Sequence, residues 1–234
     1  MKEDFSRTFM LIGEEGFEKL ASSHVIVFGV GGVGGHAAEA LARSGVGEIT
    51  LVDFDKVSLS NINRQIIALH STLGKYKVDV MAERLRDINP EITVHPLRTF
   101  FTSDNKDEFD FAKYDYVVDA IDTVTSKIEL IKCAKRSFTP LISSMGAGNK
   151  LNPTCFEVAD ISKTVVCPLA RVIRQKLKEL NIKDVKVVFS TEPSIKPKFQ
   201  AESTNGKIPP ASNAFCPSTA GLIIASEVIK DIIR

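Results

Sequence analysis

Five charged side chains in the first half of the chain have the types and spacing that suit a phosphorylated ligand: Asp53, Asp55, Arg64, Lys77 and Asp122. A guanidinium and an ammonium neutralise phosphate oxygens. Carboxylates can hold ribose hydroxyls or a divalent cation. A triphosphate demands such a set of cations more than a pyrophosphate bridge does, so the chemistry indicated is the binding of a triphosphate.

A glycine-rich turn at residues 29–35 must position these groups, because it lies between an apolar, β-branched run and a helical stretch. Gly29 and Gly31 allow the backbone to approach phosphates, and Gly34 allows close packing of helix and strand. Asp53 follows about twenty residues later, where a ribose-binding acid is expected. A glycine turn without a ligand is the alternative, but the strand, the helix and the acid together favour a nucleotide-binding βαβ unit.

The polar stretch that follows this unit is unlike that of a dehydrogenase. Asn61 and Gln65 flank Arg64 near two predicted helix starts. Asp122 follows a predicted strand at residues 116–120, and open α/β sheets bind ligands at the carboxyl ends of their strands. A helix N-cap is the alternative role for Asp122, and it does not exclude a ligand role.

The composition is that of an ordinary globular protein of 234 residues, with 44% hydrophobic and 25% charged residues and a formal net charge of +1. This balance indicates neither a nucleic-acid binder nor a binder of acidic partners for the chain as a whole. Neither a signal peptide nor an apolar run of membrane-spanning length is present in the sequence. Four scattered cysteines without a CxxC pair predict a reduced, cytoplasmic protein without structural zinc: Cys133, Cys155, Cys167 and Cys216.

The alternation of elements predicts an α/β fold with a Rossmann-like doubly wound sheet and an extended C-terminal elaboration. Strands are predicted at residues 25–28, 49–52, 93–97, 116–120, 140–143, 154–159 and 185–190. Helices are predicted at residues 5–20 (broken at Gly13 or Gly16), 36–43, 75–88, 104–111, 123–136, 168–180 and 217–234. Residues 1–160 form the predicted nucleotide-binding core. Residues 161–234 add a basic insert, a mobile loop at 191–213 and a closing helix within the same domain.

Apolar faces are predicted for four of these helices, and that of the helix at residues 75–88 comprises Val78, Ala82, Leu85 and Ile88. Phe9, Met10, Phe17 and Leu20 of the first helix are expected to pack on the sheet. Inward faces of the last two helices comprise Leu169, Val172, Ile173, Leu177 and Leu180, and then Leu222, Ala225, Val228 and Ile232. Residues 163–198 hold nine Lys or Arg and three acids, a charge of +6. A solvated face is the ordinary explanation, and an RNA-facing patch is the alternative that this asymmetry favours.

Residues 5 to 160 resemble the adenylating core of the ubiquitin-activating-enzyme superfamily. The motifs that carry the resemblance are Gly29–Gly35, Asp53-Phe54-Asp55, Ser60-Asn61, Arg64-Gln65, Lys77 and Asp122. Gly35 departs from the pattern, since many members have serine there. Arg7, in its Ser-Arg-Thr setting, is similar to the superfamily's arginine that reaches into the partner subunit's nucleotide site.

This resemblance implies ATP and Mg²⁺ as cofactors, a homodimer, and adenylation of a carboxylate. It implies that Gly29, Gly31, Gly32 and Gly34 shape the nucleotide site and that Asp53 holds the ribose. Asn61, Arg64 and Lys77 would bind phosphates, Asp55 would support the metal or nucleotide side, and Asp122 would hold Mg²⁺. Arg64, Lys77, Asp122 and Arg7 are therefore the expected catalytic residues.

Two substrate classes remain open. The motifs at residues 160–171 and 221–230 resemble the bacterial tRNA threonylcarbamoyladenosine dehydratases, in which the carboxylate of a modified tRNA adenosine is adenylated and a ring then closes within the substrate. This reading is favoured, with tRNA as substrate. The alternative is an activator of a ubiquitin-like sulfur carrier, with a sulfur-transfer protein as partner and Cys167 or Cys216 as the transfer thiol. A dinucleotide-sensing protein without chemistry is a further alternative, but it leaves Arg64, Lys77 and Asp122 without a role.

Overall fold

The computed structural model describes residues 3–199 and 209–234 and contains one seven-stranded sheet in the order β3-β2-β1-β4-β5-β7-β6. The strands are β1 (His24–Phe28), β2 (Glu48–Val52), β3 (Thr93–Leu97), β4 (Tyr116–Asp119), β5 (Leu141–Ser144), β6 (Phe156–Asp160) and β7 (Lys186–Ser190). All neighbours pair in parallel except β6 and β7, which are antiparallel. This order confirms the predicted Rossmann-like fold, since the strand order reverses between β1 and β4.

Six α-helices are found in the described part of the chain: α1 (Ser6–Ala21), α2 (Gly34–Arg43), α3 (Lys77–Ile88), α4 (Val124–Arg136), α5 (Pro168–Glu179) and α6 (Phe215–Ile233). The helix predicted at residues 104–111 is instead two short 3₁₀ turns, Lys106–Glu108 and Phe111–Lys113. The part of the predicted mobile loop at residues 200–208 lies outside the described residues. None of the described helices is long and apolar enough to cross a membrane.

Strand β1 is the centre of the core because its last four residues, 25–28, are buried on both faces of the sheet. Val25 and Val27 join one apolar cluster, with α2, α3 and α6. Ile26 and Phe28 join the opposite cluster, where three further phenylalanines surround the Phe28 ring. This two-sided burial explains the continuous apolar run in the sequence.

Helix α1 packs mainly against α6, not against the sheet as predicted. Leu20 is buried and Phe17 lies against Gly45 in the turn after α2, but Met10 is 82% exposed, so the inward role predicted for Met10 is wrong. The predicted break occurs at Gly13, whose φ of 73° is accessible to glycine at little cost.

The predicted inward faces of α5 and α6 are only partly correct. Ile173 and Leu177 are buried in α5, whereas Val172 and Leu180 are exposed; the shorter Ala170 fills the core position. In α6 the predicted Leu222 is exposed as well. The reason is that α6 lies close against α2 through small residues: a Cβ on Gly221 would come 2.3 Å from the Val33 oxygen.

The close approach of α2 to the end of β1 depends on Gly34. A Cβ at this position would lie 1.8 Å from the carbonyl oxygen of Gly29, and that oxygen belongs to backbone that cannot rotate away. The neighbouring Gly35 differs, since its Cβ would meet only the Ile66 side chain, at an ordinary 3.5 Å. The helix can therefore tolerate a methyl group at residue 35 but not at residue 34.

Gly34→Ala is expected to lower the free energy of unfolding by about 1–3 kcal/mol, because α2 must move away from the strand. Gly35→Ala should change it by less than about 1 kcal/mol, since alanine favours helix and fits the space. Urea unfolding of the two variants measures both values. Equal stability of the two would contradict the close contact at residue 34.

Candidate active site

A cavity of about 410 Å³ lies where the strand order reverses, at the carboxyl ends of β1, β2 and β4. Gly29 and Asp53, which directly follow β1 and β2, line it together with Asp122, which lies three residues beyond the end of β4. Phe100 and Phe101 contribute apolar surface beside them. The position is the one at which doubly wound sheets bind their ligands.

The glycine turn forms one wall of the cavity. Gly29 has a φ of 89°, and a Cβ there would lie 2.7 Å from the Ala120 oxygen. Gly31 and Gly32 line the cavity directly. Helix α2 begins just beyond them without a side-chain cap. Its first amide groups and its dipole therefore present positive charge to the cavity, as an anionic phosphate requires.

Asp53 is fixed by backbone donors on both sides of its carboxylate. The N–H of Val30 donates to Oδ2 at 2.7 Å, and the N–H of Asp55 donates to Oδ1 at 2.8 Å. Burial raises the pKa of Asp53, although the nearby Lys77 and the two backbone donors act in the opposite direction. The carboxylate thus ties the end of β2 to the glycine turn and still faces the cavity.

Lys77 and Asp55 form an ion pair at the cavity wall. The Lys77 ammonium, at the start of α3, donates to Asp55 Oδ2 at 2.7 Å. The lysine side chain is 7% exposed and the aspartate side chain 64% exposed. Asp55 therefore holds the buried ammonium in place, and the two predicted site residues act on each other as well as facing the cavity.

Asn61 and Arg64 lie on a tight turn that begins with a short 3₁₀ helix, Leu59–Asn61. The side-chain oxygen of Asn61 accepts from the N–H of Ser58 at 3.1 Å. The Arg64 guanidinium donates to the Ser60 carbonyl at 2.8 Å and to the Asn63 side chain at 3.0 Å. No carboxylate pairs with Arg64 among the described residues, so its charge is available to a ligand.

Asp122 stands on the loop after β4, with an exposed carboxylate that has no hydrogen-bond or ion-pair partner among residues 3–199 and 209–234. Thr123, not Asp122, occupies the N-cap position of α4, so the alternative N-cap role is wrong. The loop is anchored by a buried network in which Lys127 donates to Asp119 Oδ2 at 2.8 Å. Ser143 donates to the same oxygen at 2.6 Å.

Nine of the eleven predicted site residues line this one cavity: Gly29, Gly31, Gly32, Asp53, Asp55, Asn61, Arg64, Lys77 and Asp122. Gly34 does not line it and acts through the packing of α2 instead. Arg7 is exposed on α1 and is not among the lining residues. The structure therefore brings together charged groups that are up to 69 positions apart (53 to 122) in the sequence.

Gln65 also lines the cavity, although it was not among the predicted site residues. Its side chain is 7% exposed, and its Oε1 atom has no hydrogen-bond partner. An unpaired buried carbonyl is costly and indicates that a donor from a ligand or water belongs there. The sequence signal that indicates Gln65 as a site residue is its position directly after Arg64.

The C-terminal part of the chain supplies a wall that the sequence did not predict: Pro209, Pro210, Ser212 and Pro217. Asn149 fixes this wall, since its N–H donates to the Ala211 carbonyl at 2.7 Å and its Oδ1 accepts from the Ala211 N–H at 2.8 Å. Ala147 and Gly148, in the small-residue loop that follows β5, line the cavity beside this wall.

Neither predicted transfer thiol is exposed. Cys167 is 3% exposed and Cys216 is fully buried. Burial raises the pKa of Cys216, which disfavours the reactive thiolate. The structure thus offers no accessible nucleophilic cysteine at either position.

A basic groove lies along α5, lined by Arg171, Lys178 and Lys183 together with the Asp160–Ser162 turn. Arg171 and Lys178 are exposed. Arg174 differs, because its guanidinium donates to the Thr164 carbonyl at 2.7 Å and to the Thr164 hydroxyl at 2.6 Å. Arg174 therefore holds the turn before α5, and its charge is less available than the sequence suggested.

Comparison with known proteins relates the chain to one protein family and to enzymes of known activity. The profile of the ThiF family matches residues 5–234. The tRNA threonylcarbamoyladenosine dehydratase of Bacillus subtilis is 50% identical over 245 residues, which cover 100% of this chain and 96% of that protein. The Escherichia coli protein of the same name is 44% identical, with 84% of this chain and 76% of that protein covered.

The crystal structure of the E. coli dehydratase in complex with ATP matches with a TM-score of 0.90 at 39% identity, covering 99% of this chain and 94% of that one. A structure of the same enzyme in complex with AMP matches equally well. These findings confirm both predicted resemblances. On sequence and on fold, the chain belongs to the ThiF family and is similar along its whole length to that family's tRNA threonylcarbamoyladenosine dehydratases.

Proposed function

We propose that this chain is an ATP-dependent tRNA threonylcarbamoyladenosine dehydratase. The observation that carries the proposal is the cavity at the switch point of the sheet, which gathers Asp53, Arg64 and Asp122 in a chain whose relatives carry that enzyme's name. The ATP and AMP complexes of the E. coli relative support a nucleotide in the matching cavity. Residues 1–160 and 161–234 act as one domain in this proposal, since both parts line the cavity.

ATP fits the residues that form the cavity. Asp53, held by two backbone donors, is placed to accept from ribose hydroxyls. The uncapped start of α2 and the glycines before it suit the phosphates. Arg64 and Lys77 supply positive charge, and Asp55 keeps the Lys77 ammonium in position. Asn61 shapes the turn that carries Arg64 and binds phosphate beside it.

Asp122 is the residue that would hold Mg²⁺. Its carboxylate is exposed to the cavity without a protein partner, and Mg²⁺ in nucleotide enzymes uses one or two carboxylates together with phosphate oxygens and water. The ion would neutralise charge that develops on the phosphates. Lys127 and Ser143 contribute indirectly, because they fix Asp119 and hence the loop that carries Asp122.

The reaction needs no protein base for its first step. A carboxylate oxygen of the threonyl group attacks the α-phosphorus of ATP, the α–β P–O bond breaks, and pyrophosphate leaves. The carboxylate is already ionised at neutral pH, so the side chains position the reactants and cancel phosphate charge. An internal nucleophile of the same substrate then attacks the acyl-adenylate and expels AMP. Ring closure within one molecule requires no enzyme thiol.

A tRNA substrate accounts for the basic groove on α5. Phosphate contacts made by exposed lysine and arginine dominate the affinity of such complexes. Arg171 and Lys178 lie on that groove, outside the nucleotide cavity. A second cavity shares Arg64, Pro210 and Ser212 with the nucleotide cavity and offers an approach for the modified adenosine. We accordingly propose that the enzyme works in the cytoplasm, where tRNA is modified.

The role proposed for Arg7 requires a homodimer. Arg7 is exposed on α1 and does not reach the cavity of its own chain. The motif around it is similar to that of the arginine that the superfamily inserts into a partner subunit's site. We propose that Arg7 completes the site of a second copy of this chain.

The sulfur-carrier alternative, with a sulfur-transfer protein as partner, is less well supported. It requires a transfer thiol, and both Cys167 and Cys216 are buried. The Bacillus subtilis dehydratase matches 100% of the chain, whereas two adenylyltransferase and sulfurtransferase relatives match 59% and 57% of it.

AMP release separates these alternatives. Wild-type enzyme with ATP should form AMP with threonylcarbamoyladenosine-bearing tRNA and at least ~100-fold less with tRNA that lacks the modification, because only the former offers the carboxylate. Cys167→Ala and Cys216→Ala should keep most of this activity. Equal AMP release from both tRNAs, or dependence on one cysteine, would exclude the dehydratase assignment in favour of another acyl acceptor.

Asp122→Asn and Arg7→Ala are each expected to lower the rate of adenylation at least ~100-fold, since each removes charge stabilisation at the phosphates. Mixing the two inactive variants should restore roughly one quarter of wild-type activity, because half of randomly exchanged dimers keep one complete site. Pyrophosphate release measures the rate, and mass spectrometry of differently labelled subunits verifies exchange. Exchanged samples without recovery would refute the shared site.

The basic groove can be tested by charge reversal. Arg171→Glu combined with Lys178→Glu should raise KM for modified tRNA at least ~10-fold and reduce the salt dependence of binding, while ATP affinity stays unchanged. Lys113→Glu combined with Arg234→Glu is the matched control, since it makes the same change of four charge units at an exposed lysine and an exposed arginine that line neither cavity. Arg174 is left intact because it holds the turn at Thr164. An equal effect of the control would assign the loss to net charge alone.

A further inference from the structure

Two histidines and a glutamate meet on one face of the sheet, away from the nucleotide cavity. His24 and Glu48 are the first residues of β1 and β2 and pair with each other across the strands. His95 of β3 pairs with Thr50, which lies on the same face of β2 as Glu48 because side chains alternate along a strand. The cavity follows the last residues of β1 and β2, so this cluster lies at the opposite end of the sheet.

The distances in the cluster suit a small cation. One ligand atom from each of the three residues lies within 4.8 Å of the other two. His24 Nδ1 is 3.4 Å from Glu48 Oε1, and His95 Nε2 is 2.7 Å from the same oxygen. Tetrahedral zinc with bonds of about 2.0–2.1 Å separates its ligand atoms by about 3.3 Å. The first pair already has this separation, and the half-exposed His95 needs to move outward only slightly.

His24 is oriented as a metal-binding imidazole usually is. Its Nε2 lies 2.8 Å from the Thr50 hydroxyl, and the edge of the ring packs on Tyr114 at a centroid distance of 4.7 Å. A hydrogen bond from Nε2–H to Thr50 leaves the Nδ1 lone pair directed at Glu48 and fixes the ring. Burial lowers the pKa of His24, while Glu48 and Asp115 act in the opposite direction and His95 adds to the lowering.

We propose that His24, Glu48 and His95 form a binding site for a divalent transition-metal ion of the zinc type. Two imidazoles and one carboxylate suit Zn²⁺, Ni²⁺ or Cu²⁺ and do not suit Mg²⁺ or Ca²⁺, which prefer all-oxygen sets. No other group of His, Cys, Asp or Glu side chains within residues 3–199 and 209–234 converges in this way. The ion would connect β1, β2 and the edge strand β3 and leave at least one coordination position for water.

The test is a zinc titration of the full-length, tag-free chain by calorimetry, with excess Mg²⁺ present to occupy the nucleotide cavity. Wild type should bind one equivalent of Zn²⁺. His95→Ala should weaken this binding at least ~10-fold, the loss that even an outer partner of a metal ligand causes. His95 is chosen because its side chain is 46% exposed, so its removal leaves the core intact. His70→Ala, at an exposed histidine outside the cluster, is the matched control and should bind as wild type does.

Thermal unfolding with and without zinc is a second, independent test of the site. Zinc should raise Tm of wild type and of His70→Ala but not of His95→Ala, because a ligand that binds only the folded chain stabilises it. Glu48→Gln, which preserves shape and removes charge, should behave like His95→Ala. Zinc affinity that is unchanged in both cluster variants would show that the ion binds elsewhere and overturn the proposal, as would the absence of binding by wild type. Turnover of ATP and tRNA tests the proposed function separately.

Discussion

Helix α2 can lie against the end of β1 only because residue 34 has no side chain. The carbonyl oxygen of Gly29 occupies the space that a Cβ would need, so backbone packs directly on backbone. This contact directs the first amide groups of α2 towards the cavity. The same oxygen belongs to a residue with positive φ, which turns the chain over the ends of β1 and β4. The affinity of the site for anions therefore depends on this close backbone packing, because the packing positions the amide groups that bind the anion.

The charged groups of the site are held by one another before any ligand arrives. Asp53 binds the glycine turn, Asp55 holds Lys77, and the buried Lys127 holds Asp119 beneath the loop of Asp122. Each pairing restricts a side chain whose free motion would have to be lost on binding. Charges fixed in a partly dry cavity act on phosphate more strongly than mobile charges in water. The arrangement is thus suited to a reaction in which positioning and charge do most of the work.

The sequence allowed the fold and most of the cavity to be predicted, because the signals were local. Strand β1 could be read from its apolar run, and Asp53 and Asp122 from their positions after strands. Contacts between side chains that are distant in the sequence were not predicted. The Asp55–Lys77 ion pair joins residues 22 positions apart, and nothing in either neighbourhood indicates it. Met10 was placed inside because periodicity gives a helix face but not the neighbour that it packs against. Arg174 carries a formal charge like that of Arg171, and only the structure distinguishes its hydrogen bonds to Thr164.

The C-terminal wall of the cavity has a consequence for the newly made chain. Gly29 and Pro209 both line the cavity, and 180 residues separate them (209 − 29). At synthesis rates of 5–20 residues per second, on the order of 10 to 40 seconds pass between the two. During that time the nascent chain has its phosphate-binding turn but not the prolines that enclose it. A polypeptide that stops before Pro209 lacks this wall. The nucleotide site can therefore be completed only after the C-terminal residues that line it have been synthesised.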